Sequence, residues 1–183
     1  MEREKRISLP TAIVLIIALF IVSCDKDPES RYSGEFTIDN TLYGLGPYYA
    51  IGFSFEEGKT LQTIGTPQPD ITVHAKTDAQ GSVSGAYLDT PNLKESYALA
   101  GDFNSAEDAG NYYDNLLEVG NYTWLLFADD ISEHQVYVFK TRNDNYVKFR
   151  IKDLVLQDID DEAFVEVTIE WRIQPDGSTT FPQ

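Results

Sequence analysis

Val165-Glu166-Val167-Thr168-Ile169-Glu170-Trp171-Arg172-Ile173 is the stretch that decides the fold. Apolar and polar side chains alternate strictly along it, the period-two pattern of a strand with one buried face. Working back from it, Tyr146 to Ile151 repeats the pattern, with Val147, Phe149 and Ile151 inward and Lys148 and Arg150 outward. The acid-rich run Asp158-Ile159-Asp160-Asp161-Glu162 makes a hairpin of the two. An acidic outer face then lies beside a basic one, and such cross-strand pairs contribute about 0.2–1 kcal/mol each.

The same reading extends towards the start of the chain. Residues 136–141 form a strand that ends at the polar turn Arg142-Asn143-Asp144-Asn145, and residues 122–128, nearly all apolar, read as another. Ile71, Val73 and Ala75 alternate with Thr72, His74 and Lys76, followed by a turn at Asp78-Ala79-Gln80-Gly81 and a further strand over 82–87. Ile51, Phe53 and Phe55 share one face and Ala50, Gly52 and Ser54 the other, before the turn Glu56-Glu57-Gly58-Lys59. Phe36-Thr37-Ile38 is a short first strand, and residues 42–49, with Gly44, Gly46 and Pro47, are irregular.

One helix stands out. Ser105 and Asp108 resemble a capping box, and Ala109, Tyr112, Tyr113, Leu116 and Leu117 form one apolar stripe. Gly110 costs this helix about 1 kcal/mol relative to alanine, and Gly120 is placed to end it. The expected fold is therefore mainly β: a compact antiparallel β domain with one or two α-helices over residues 34–183.

The first 23 residues read differently. Arg3, Lys5 and Arg6 precede an apolar run over 12–22. That run is too short for a membrane-spanning helix, which needs about 20 residues, but it suits a signal peptide. It ends at Ile21-Val22-Ser23-Cys24, the pattern of a bacterial lipoprotein signal, and Cys24 is the sole cysteine of the 183 residues. Cleavage before Cys24 and lipidation of its sulfur would anchor the protein to a membrane. Residues 24–33 then form an acidic tether. Asp25-Lys26-Asp27 and Glu29 read as a solvated charge run; they are also similar to the acidic cluster that some outer-membrane lipoproteins carry when they are flipped to face the cell exterior, the alternative being an anchor that faces the periplasm.

Charge excludes some partners. The chain has 14 basic and 30 acidic residues, a formal net charge of −16. Such a surface repels phosphate backbones, so no nucleic-acid partner is expected. No G-x-S-x-G, P-loop or zinc spacing occurs, and the many acids single out no catalytic pair, so the chain does not read as an enzyme.

Four stretches together resemble the HmuY-like haem-binding lipoproteins. These are Phe53-Ser54-Phe55-Glu56-Glu57-Gly58; Asp70-Ile71-Thr72-Val73-His74, where Pro69 replaces the usual tryptophan; Gly81-Ser82-Val83-Ser84-Gly85; and a tail. The tail comprises Tyr137-Val138-Phe139-Lys140-Thr141, Tyr146-Val147-Lys148-Phe149-Arg150-Ile151 and Gln174-Pro175-Asp176-Gly177-Ser178 with Phe181. The resemblance implies a β-rich outer-membrane lipoprotein that captures haem and passes it to an outer-membrane receptor. The alternative is a β-structured surface lipoprotein that binds no haem and serves as an interaction or scaffold subunit.

Haem iron takes His, Met, Cys or Tyr as axial donors. With Met1 and Cys24 set aside, His74 and His134 are the whole imidazole supply. His74 lies on the polar face of its strand and also reads as a hydrogen-bonded structural residue. His134 follows Trp124-Leu125-Leu126-Phe127, and the resemblance implies a ligand histidine in that loop; another register puts Asp129 there instead. The 11 tyrosines could line a porphyrin slot or serve as ordinary sheet residues. Lys76 could meet a propionate. The 158–162 loop could hold calcium through its oxygens but lacks the glycine and spacing of an EF-hand.

Overall fold

A computed structural model describes residues 31–182 except Pro47. The leader, Cys24 and the tether up to residue 30 lie outside the described residues.

The fold is mainly β, as the alternation predicts. The 165–173 stretch is part of the interior strand β9 (Glu162–Gln174), flanked by β1 (Ser33–Asp39) and β8 (Tyr146–Ile159). Beyond β8 come β7 (Gln135–Lys140) and β6 (Tyr97–Asp102), so an antiparallel sheet runs β1-β9-β8-β7-β6. Arg150 stands opposite Glu170 in this register, and its Nε and Nη2 both approach Glu170 Oε2 at 2.7 Å, the expected opposite-charge pair.

Two hairpins cover one face of the sheet: β2 (Ile51–Ser54) with β3 (Lys59–Gln62), and β4 (Thr72–Thr77) with β5 (Val83–Asp89). Phe53, Phe55, Ile71, Val73, Ala86 and Leu88 from this layer form one core with Phe36, Phe139, Phe149, Val167 and Trp171 from the sheet. Gly52 lets the layers of β2 and β4 close, since a Cβ there would run into the Ile71 carbonyl. Ile51 departs from the expected pattern. It shares a strand face with Phe53 but is 38% exposed, because it pairs with Gln62 near the rim.

The opposite face carries the one helix of the described residues, α1 (Ala106–Asn115), capped by Ser105, whose hydroxyl accepts from the Asp108 N–H at 3.1 Å. Ala109 and Tyr113 bury against Val136. Gly120 does not end this helix, which stops at Leu116. What holds its end is Lys148. This residue does not point to water as the alternation suggests; it is fully buried, with Nζ donating to the carbonyls of Tyr113 (2.7 Å) and Leu116 (3.0 Å). An ammonium is favourable at a helix C-terminus, but burial and Arg172 pull its pKa down to about 8. The chain end covers the same spot: Phe181 donates its N–H to Leu117 O (2.8 Å) and is buried.

Residues 122–128 do not form a regular strand. They cross from one layer to the other. Leu125 exchanges backbone bonds with Tyr97 of β6 (2.8 and 3.0 Å), and Ala128 exchanges them with Leu88 of β5 (3.0 Å each). The segment therefore joins the sheet edge to the hairpin layer.

Asp70 ties the β2 end to the start of β4. Its Oδ2 accepts from the Phe55 N–H (2.8 Å) and the Ser54 hydroxyl (3.2 Å), yet burial pushes its pKa up to about 6. A carboxyl raised above its unfolded value of 3.8 binds its proton more tightly in the folded state. Stability therefore rises as pH falls from above 6 towards 3.8, and is lost in the opposite direction. Asp70→Asn should flatten that limb of a urea-midpoint-against-pH curve. An unchanged limb would assign it to other groups.

Candidate functional site

The outer face of the β4–β5 hairpin gathers the most chemistry into one place. Alternation in β4 turns Val73 into the core and leaves His74 and Lys76 on the other side. The register sets Tyr87 opposite His74, and their rings stack at 5.1 Å with 21° between planes. Thr72 Oγ1 and His74 Nε2 share a hydrogen bond of 3.0 Å. Burial lowers the His74 pKa against a weaker opposing pull from Asp89, which favours the neutral imidazole.

Phe127 meets Tyr87 edge-on, at 6.2 Å and 68°. It is delivered by the crossing segment, whose Leu125, Leu126 and Phe127 are 51, 49 and 46% exposed although backbone bonds pin both ends. Three consecutive apolar side chains thus stand half in water on a backbone bonded at Leu125 and Ala128.

A polar rim completes the face. Lys76 Nζ lies 2.9 Å from Asp129 Oδ1 and 2.6 Å from Asp130 Oδ1. The hydrogen bond from Lys76 holds the Asp129 pKa below the usual carboxylate range. Lys76, Tyr87, Phe127 and Asp129 line a shallow concavity of about 360 Å³. That is near the low end of the roughly 300–1,000 Å³ of ligand pockets.

His134 stands elsewhere. It adopts φ +72 at the entry to β7 and donates its N–H to Ile151 O at 2.9 Å. It lines a hollow of about 260 Å³ with Ala106, Glu107, Arg150 and Lys152, on the α1 side of the sheet. His74 lies on the hairpin side, with the core between them, so the fold does not pair the two imidazoles. Among the described residues, no group of three or more His, Cys, Asp and Glu side chains could hold a metal ion. Asp158 of the acidic loop accepts from the Val83 N–H at 2.8 Å, a structural role. Asp129, the alternative ligand position, is bound to Lys76.

Tyr87 and Phe127 escape sequence reasoning. Tyr87 sits in an ordinary strand, and Phe127 sits in an apolar run that reads as core. Only the register and the crossing segment bring them to His74. This arrangement predicts that His74 titrates below 6.5 by NMR, and that Tyr87→Ala, which wets the ring, moves it upward. An unmoved midpoint would mean that Tyr87 does not shelter the imidazole. No family model, no curated protein and no solved structure matches this chain.

Proposed function

We propose that this chain is a non-enzymatic binding protein, anchored to the outer membrane through lipid on Cys24 and facing the cell exterior, with the outer face of β4–β5 as its recognition face. The observation that carries this is the pinned, half-exposed run Leu125-Leu126-Phe127. Apolar surface left in water costs free energy that a contact would recover. Its fixed backbone reduces the ordering cost of binding. This reading keeps the interaction-subunit alternative and gives it a surface.

The lone cysteine makes a clean test possible, because a lipidated Cys24 leaves no free thiol. Leu126→Cys and a control, Asn104→Cys on an exposed loop, are treated with a membrane-impermeant maleimide. The control should label on intact cells. Leu126→Cys should label readily in purified protein and several-fold more slowly on cells, where its partner covers it. An unlabelled control would place the protein on the inner side. Equal labelling of Leu126→Cys in both settings would overturn the recognition face.

The placement of His74 favours a second reading. Imidazole is an axial donor class for haem and the one that the HmuY-like resemblance implies; with Nε2 engaged by Thr72 Oγ1, the iron would take Nδ1 of His74. On this reading hemin gives a saturable Soret shift that His74→Ala abolishes and His134→Ala leaves intact. The absence of any saturable shift would end the haem reading for both histidines.

A further inference from the structure

We infer that the concavity formed by Lys76, Tyr87, Phe127 and Asp129 binds a neutral saccharide; this rests on the recognition face proposed above and names its ligand class. The argument begins with the rings. Tyr87 is fixed from behind by the stacked His74 and from the side by Phe127, so the two rings form a corner. An aromatic face is electron-rich and attracts the polarised C–H groups on one side of a sugar ring. The rim supplies the other half of the recognition. Lys76 brings ammonium donors and Asp129 a carboxylate acceptor, locked to each other at 2.9 Å. Hydroxyl groups, which donate and accept, match such a mixed rim.

Other ligand classes fit less well. A wholly apolar ligand would strip water from Lys76 and Asp129 and offer nothing in return. An anion would meet Asp129 and Asp130, which outnumber Lys76, on a chain of net charge −16. That objection includes the propionates of haem. A cation would find acids and ring faces, but Lys76 already occupies the charge between the two aspartates. A neutral, amphipathic ring bearing hydroxyls meets every group in the concavity.

The experiment uses the full chain in a detergent without sugar headgroups, applied to an array of neutral glycans with choline and hemin as separate arms. Retention by neutral glycans is expected. Tyr87→Ala and Phe127→Ala should each weaken it about tenfold or more. Tyr87→Phe, which keeps the ring, should retain most of it, and Asp129→Asn should weaken it at constant thermal stability. Thermal unfolding of each variant separates lost binding from lost fold. Binding of choline or hemin alone, no bound glycan, or glycan binding indifferent to both ring deletions would each overturn the saccharide assignment. The recognition face itself would still stand, because it falls only if Leu126→Cys goes unprotected on cells.

Discussion

Phe55 is the residue on which the layers converge. It is fully buried and its ring lies within 6.1 Å of the rings of Phe36, Phe53, Phe139, Phe149 and Trp171, drawn from β1, β2, β7, β8 and β9. Aromatic contacts of this kind add about 0.5–1.5 kcal/mol beyond area burial. A ring at such a crossing must be placed accurately, and its backbone has left the β2–β3 ladder. The carboxylate of Asp70 takes up the Phe55 N–H and so fixes where the ring enters. One buried acid thereby positions the aromatic centre of the molecule, at the electrostatic cost that its raised pKa records.

The second constraint is the join between the sheet and the hairpins. Short two-stranded hairpins are marginal by themselves, and here a shared core with the sheet is supplemented by isolated backbone bridges: Phe53 with Ile71, Leu88 with Ala128, and Tyr97 with Leu125. The last two lie on one short segment. Its backbone is committed to both layers, so its side chains between those anchor points have nowhere to turn but outward. The exposed Leu126 and Phe127 are therefore a by-product of closing the fold, and the proposed binding face uses a surface that the architecture already required.

This explains what could be read in advance and what could not. The β9 alternation and the Ser105 cap are local patterns, and both appear as read. Residues 122–128 were misleading because an unbroken apolar run signals burial without saying whether backbone or side chains are buried. Lys148 broke the alternation rule because β8 has a covered face on both sides: the polar face of the strand lies under α1. Strand β6 gave little signal, since Tyr97-Ala98-Leu99-Ala100-Gly101-Asp102 is interrupted by an irregularity between Leu99 and Gly101. The proximity of His74 to Tyr87 and Phe127, and its separation from His134, are matters of register and layer that no spacing along the chain expresses.

The clasp around Lys148 has a practical meaning for anyone handling the protein. Its amine is enclosed by the carbonyls of α1, with the Tyr113 ring 4.8 Å and the Phe181 ring 5.6 Å away. Lys59, Lys76 and Lys152 are partly open to solvent. Acylating reagents therefore find those three in the intact molecule and reach Lys148 only when the packing around it opens. The protein thus carries its own chemical tamper seal for the helical layer, readable by peptide mass alone and at a site far from the aromatic corner.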